Sequence, residues 1–187
     1  LLDGLDLCTA MEGHPTFPPE RAVRTLLPVI HALKYAHARG VVHRDIKPEN
    51  IFLTTSHDGV VQPKLIDFGI ARQAKDKSDA RITRTGAVVG SPGYMSPEQA
   101  AGAESDHRAD LWSICVVLYE LVTGSLPFDG DNYLALIRAI IEAEPQPLSF
   151  HEIHEDELGT IVSRGLGKET HDSGEAGEWR GRAPAEW

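Results

Sequence analysis

The chain has 187 residues, 41% of them hydrophobic and 25% charged, and a formal net charge of -10; that suits one domain, or most of a larger one, with a core that needs no disulfide or metal staple. The acidic balance argues against a nucleic-acid partner, because phosphate recognition needs clustered Lys and Arg, and it biases binding toward basic partners. Cys8 and Cys115 form no CxxC pair and the nine histidines form no Cys/His cluster, which fits two buried thiols in a reducing cytosol rather than a metal site.

No apolar run approaches the ~20 residues of a membrane span, and no signal peptide is visible. The chain is therefore expected to be cytoplasmic, with a membrane-anchored parent left open. It starts at Leu1 inside a patterned segment and reads as a piece whose true start lies upstream. Residues 1–13 read as a loop followed by a short helix. Pro18-Pro19-Glu20 opens a long helix, since Pro is tolerated in a first turn and Glu there faces the positive end of the helix dipole. Val23, Leu26, Leu27, Ile30, Leu33 and His37 follow helical spacing, and Gly40 ends the helix. Pro28 falls inside it and should kink it.

Short β-branched pieces come next: Val41-Val42, Ile51-Phe52-Leu53, Val60-Val61 and Lys64-Leu65-Ile66. His57-Asp58-Gly59 between two of them is a hairpin signal. Residues 70–98 lack periodicity and read as a long loop, of the kind usually kept for function. From Ala109 to Val122 the chain is nearly all apolar, the mark of a helix buried on all sides. Helices are expected near 131–143 and 155–166. After Lys168 the composition turns to Gly, Glu, Arg and His, and no packed ending is expected.

The chemistry concentrates in residues 43–50 and 67–69. Asp45, Lys47, Asn50 and Asp67 would be presented toward one place by two strand ends. Moving a γ-phosphoryl group needs a group that orients a hydroxyl and accepts its proton, oxygen ligands for Mg²⁺, and positive charge on the phosphoryl oxygens. Asp45 fits the proton acceptor, Lys47 the phosphate clamp, and Asn50 with Asp67 the hard-oxygen pair that Mg²⁺ prefers.

The run His43-Arg44-Asp45-Ile46-Lys47-Pro48-Glu49-Asn50, then Asp67-Phe68-Gly69, then Ser96-Pro97-Glu98 resembles the eukaryotic-type protein kinase family, its bacterial serine/threonine branch in particular. The resemblance implies an α+β, protein-kinase-like fold: a mainly α-helical C-terminal lobe with short β-hairpins, the N-terminal β-rich lobe being absent from this chain. It covers residues 1–168 as hinge and C-terminal lobe, with an activation segment at 67–98 and a divergent tail at 169–187. It implies ATP and Mg²⁺ as cofactors and Ser/Thr side chains of proteins as acceptors. It also implies a homodimer for phosphorylation in trans.

Residue by residue, the resemblance makes Asp45 the proton acceptor, Lys47 a γ-phosphate contact, and Asn50 and Asp67 the Mg²⁺ ligands. Leu2 would meet adenine through its backbone and Asp6 would reach the ribose. Phe52 either lies beneath adenine or is ordinary core. His43 and Phe68 resemble the lower members of the apolar spine linking the lobes. Arg44 beside the catalytic Asp, with Thr83 and Thr85, implies a switch by loop phosphorylation. The phosphate would be held by Arg44 and one of Arg72, Arg81 or Arg84. Ser91 resembles the contact to the residue after the phosphoacceptor. Asp110 resembles the buried carboxylate that braces the catalytic-loop backbone. Glu98 is expected to pair with an Arg near the end of the domain. Ser173 stands where that Arg belongs, with Arg180 or Arg182 as substitutes. Cys115 stands where the family has Gly.

Two other functions compete. A truncated, non-catalytic binding module would share the fold. A small-molecule phosphotransferase of the aminoglycoside or choline type shares a similar His-x-Asp-x4-Asn pattern, but the Arg44-to-Lys47 run and the full segment from Asp67 to Glu98 argue against it.

Overall fold

Helix α4, Arg108–Thr123, is apolar around its whole circumference, and twelve of its sixteen residues are buried. A helix of that composition is driven to the centre of a domain, because every face gains by leaving water. The computed structural model, which describes residues 3–56, 59–67 and 92–168, puts it there. The other elements in chain order are β1 (Gly4–Asp6), α1 (Leu7–Gly13), α2 (Pro19–His37), β2 (Ile51–Thr55), β3 (Val61–Leu65), α3 (Pro97–Ala100), α5 (Tyr133–Glu142) and α6 (Asp156–Gly165). Single turns of 3₁₀ helix cover Pro48–Asn50, Pro92–Tyr94 and Leu148–His151. This is the expected α+β architecture, mainly helical with one small antiparallel sheet. No helix among the described residues is long and apolar enough to cross a membrane.

Helix α2 starts with Pro19 in its first turn, as expected. Its buried stripe is Ala22, Leu26, Val29 and Leu33. The expected stripe included Val23 and Leu27, yet these are 42% and 43% exposed. The real face is turned by one residue because α2 lies against α4 and β3, where the small Ala22 permits close approach. Pro28 is exposed and the helix continues through it. On the outer face, water can bond the carbonyl that loses its N–H partner.

Three strands form one sheet in the order β1-β2-β3, all antiparallel. Asp6 faces Phe52 and Leu65 faces Ile51 in register. β1 replaces the loop expected at the start of the chain. Three residues are too few for a period-2 signal, and β2 supplies the pairing. Val41-Val42, expected as a strand piece, pairs with no strand among the described residues. Val41 N–H bonds Ala36 O at 3.0 Å. His57 and Asp58 lie outside the described residues.

Helix α4 ends at Gly124, whose φ of 74° suits a left-handed cap. Helix α6 crosses α4 where Cys115 meets Gly165. A Cβ built on Gly165 would fall 2.1 Å from Cys115 Sγ, so the thiol occupies the volume that a side chain at 165 would need. Burial pushes the Cys115 thiol up to about 12, which leaves it an inert packing group. Cys8, by contrast, is half-buried rather than buried. Gly165→Ala is expected to overpack this crossing and destabilise by about 1–3 kcal/mol. Cys115→Ala in the same chain should recover the larger part. Equal unfolding midpoints for the single and double variants would show that the two sites do not touch.

Lys168 closes the described chain. Its Nζ donates to Ala139 O at 3.0 Å and to Ala143 O, and sits 4.4 Å over the Phe128 ring. A cation here meets the negative end of α5.

Candidate active site

The site is built around a strained backbone. Arg44 and Asp67 are two of the three non-glycine residues with positive φ among the described residues, at 64° and 54°. Such conformations cost on the order of 1–3 kcal/mol each and persist only where surroundings enforce them. For Arg44 the enforcement is visible. Asp110, fully buried near the start of α4, accepts from Arg44 N–H at 2.7 Å through Oδ1 and from His43 N–H at 2.9 Å through Oδ2. His37, from the last turn of α2, donates to the same Oδ2 at 2.7 Å. Three donors on one carboxylate answer the desolvation of a buried charge.

His43 continues the scaffold. Its ring is fully buried, and Nε2–H donates to Ile66 O at 2.9 Å. Nδ1 accepts from Asp45 N–H at 3.3 Å. A carbonyl on one nitrogen and an N–H on the other select the neutral Nε2–H tautomer. Ile66 is held from its other side as well, because its N–H donates to Asn50 O at 2.9 Å. The residue just before Asp67 is thereby tied to both ends of the catalytic loop.

Asp45, Lys47 and Asn50 meet directly. Lys47 Nζ lies 3.6 Å from Asp45 Oδ2. Asn50 Nδ2 donates to Asp45 O at 2.6 Å and reaches Asp45 Oδ2 at 3.3 Å. Asn50 is buried and Asp67 exposed. The site therefore holds one carboxylate with an ammonium beside it and an amide fixed in orientation, and Asp67, an exposed carboxylate, follows the residue whose N–H bonds Asn50 O.

On this geometry the comparisons with known proteins bear directly. The family described as Protein kinase domain matches residues 1–164. The chain belongs to the protein kinase family. It is 42% identical over 146 residues to a probable serine/threonine-protein kinase of Corynebacterium efficiens, covering 78% of this chain and 21% of that protein. It is 44% identical over 128 residues to the serine/threonine-protein kinase pkn3 of Myxococcus xanthus, covering 68% and 23%. With the serine/threonine-protein kinase PknB of Mycobacterium tuberculosis it shares 36% over 168 residues, 89% and 26% of the two chains. The match thus spans about a fifth to a quarter of these relatives' length.

Within this kinase chain the other expected site residues fall into three groups. Asp6 and Phe52 are register partners across β1 and β2. Phe52 is half-buried and is not among the residues of the hydrophobic core cluster. Asp6 also caps α1, accepting from Thr9 N–H at 2.8 Å and Thr9 Oγ1–H at 2.9 Å. That backbone bond holds its carboxyl below the usual range. Glu98 is half-buried at the start of α3, and among the described residues no cation pairs with it. Leu2, Phe68, Thr83, Thr85, Ser91, Ser173, Arg180 and Arg182 lie outside the described residues, as do Arg72, Arg81 and Arg84.

Sequence reading missed two contributors. His37 looked like one more member of the α2 stripe, and nothing local announced its carboxylate partner 73 positions away. Gln99 carried a readable signal, because Ser96-Pro97-Glu98-Gln99 is a capping box. What it touches beyond the cap was not readable.

Beside the site, Tyr94 O–H donates to Glu120 Oε2 at 2.7 Å. Burial pushes the Glu120 carboxyl up, against the Tyr94 hydrogen bond, with Glu49 adding to the rise. A raised folded-state value means the fold favours the protonated acid. That contribution is present below the ordinary carboxylate range and lost as pH rises through the folded value. Glu120→Gln keeps an acceptor for Tyr94 and removes the charge. Its unfolding midpoint should exceed the parent's at pH 7, by a margin that shrinks toward pH 4. A lower midpoint at pH 7 would refute the burial argument.

Proposed function

We propose that the chain carries the phosphoryl-transfer site of an ATP- and Mg²⁺-dependent protein serine/threonine kinase. The observation that carries the reading is the convergence of Asp45, Lys47 and Asn50 within hydrogen-bonding or ion-pairing reach, with Asp67 tethered beside Asn50 through Ile66. In this reading a Ser or Thr hydroxyl of an acceptor protein attacks the γ-phosphorus of ATP. The Asp45 carboxylate takes the hydroxyl proton as the new O–P bond forms, and the bond from the γ-phosphorus to the bridging oxygen breaks, leaving ADP. Lys47, 3.6 Å from Asp45, sets positive charge against the transferring oxygens.

The donor set suits a hard cation. Asn50 spends its Nδ2 on Asp45, which leaves its amide oxygen for a metal, and Asp67 adds an exposed carboxylate. Mg²⁺ is commonly held by this few protein oxygens together with substrate phosphates. Bound there, it neutralises the charge that builds on the phosphoryl oxygens. Asp6 and Phe52, side by side in the sheet, would receive the ribose and adenine, with the Leu2 backbone.

Regulation belongs to the same reading. Arg44 is anchored by Nη2–H to Ser105 O at 3.3 Å, while its buried Nε–H has no hydrogen-bond partner among the described residues. An orphaned buried donor on a cation is suited to a phosphate from Thr83 or Thr85, which would add about -1.5 to -2 charge. Ser91 would face the acceptor peptide, and phosphorylation in trans would bring two copies together.

The test is phosphate transfer from labelled Mg²⁺-ATP to protein substrate. Transfer to Ser or Thr supports the reading. Transfer to a small-molecule hydroxyl, or ATP-independent partner binding alone, would replace it. The Thr83→Ala, Thr85→Ala double variant should lose autophosphorylation and most activity; full activity would remove the switch.

A further inference from the structure

Helix α3 is a single turn, yet its side chain at Gln99 is fixed from several directions. Gln99 Oε1 accepts from Ser96 N–H at 3.1 Å and from Ser96 Oγ–H at 3.3 Å. Gln99 Nε2–H donates to Arg44 O at 3.0 Å, across 55 residues of sequence. The amide orientation follows from its partners. A flipped amide would set N–H against N–H and oxygen against oxygen.

The carbonyl it holds belongs to the Arg44–Asp45 peptide. That peptide's own N–H bonds His43 Nδ1 at 3.3 Å, and the preceding N–H bonds Asp110 Oδ1 at 2.7 Å. Arg44 has its left-handed φ of 64° between these anchors. Of the three, Gln99 is the one that directly follows the segment ending at Ser96-Pro97-Glu98. We propose that Gln99 is a positioning residue that locks the Arg44–Asp45 peptide, and with it the Asp45 carboxylate, to the end of the activation segment. The loop that carries the proton acceptor is then tied directly to the first turn of α3. Only the kinetic arm below rests on the kinase reading.

The diagnostic variant is Gln99→Glu. Glu is as good a capping-box residue as Gln, so the bond from Ser96 N–H survives. At the other end it sets a carboxylate oxygen against Arg44 O, which deletes the lock. Expected in the full 187-residue chain is amide hydrogen exchange at Asp45 faster by about tenfold or more, with the Val117 and Leu118 amides in α4 unchanged within about twofold. Ser96→Ala weakens the cap but keeps the Gln99 link, and should leave the Asp45 amide protected. Unchanged exchange at Asp45 in Gln99→Glu would overturn the proposal. So would acceleration spread equally over α4, or Ser96→Ala exposing the Asp45 amide as much; the Ser96→Ala arm decides if Gln99→Glu does not fold. In phosphate transfer, kcat should fall by about tenfold or more while KM for ATP stays within about twofold. Absence of transfer by the parent chain counts against the phosphoryl-transfer reading of these residues and leaves the exchange result standing.

Discussion

Asp45→Asn is expected to lower phosphoryl transfer by about 10²–10⁴-fold, the usual worth of a positioned general base. The fold should survive, because the substitution keeps the shape and the carbonyl that Asn50 Nδ2 bonds at 2.6 Å. What it removes is the carboxylate basicity and the charge 3.6 Å from Lys47. The midpoint of thermal unfolding should move little, while kcat collapses. A variant that folds and transfers phosphate at the parent rate would take Asp45 out of the proton-accepting role. Loss of both fold and transfer would instead make it part of the scaffold.

Asp110→Ala is expected to have the largest effect on stability. It strands three donors at once: His37 Nε2–H, His43 N–H and Arg44 N–H. Removing one side of such a buried charged network costs about 3–5 kcal/mol. Asp110→Asn is the gentler variant. With its amide oxygen facing His37 and His43, its Nδ2–H would face the Arg44 N–H, leaving these two buried donors without an acceptor, at about 1–3 kcal/mol for each. For a domain of this size each kcal/mol lowers the unfolding midpoint by about 2–4 °C. Calorimetry should rank the parent above Asp110→Asn and Asp110→Ala last. Transfer should fall in the Asn variant beyond what lost stability explains, since Arg44 loses an anchor of its left-handed backbone. Unfolding of Asp110→Asn at the parent midpoint would show that the brace carries no load.

The helices were readable for simple reasons. The α4 composition left no outward face, and the Pro18-Pro19-Glu20 start of α2 is local chemistry. The reactive groups were readable too, because their types and spacing match a chemical task. Which face α2 would bury was not readable. Val23 and Leu27 are better hydrophobes than Ala22, and only the neighbouring α4 and β3 decide that a small side chain belongs at the contact. β1 depended likewise on whether a distant strand, β2, was there to pair.

At the site the division is similar. Sequence by itself determined the inventory of groups: a carboxylate, an ammonium, an amide, a second carboxylate and a buried Asp in need of donors. Tertiary structure alone decided how they are held. The Asp110 partners come from α2 and from the catalytic loop, the Gln99 partner lies 55 residues away, and Cys115 fits because Gly165 leaves it room. Hydrogen-bond partners and packing volumes between distant residues are properties of folded geometry. The one-dimensional pattern of types carries the chemistry of the opening motif, and the folded chain supplies the strain and the anchors that aim it.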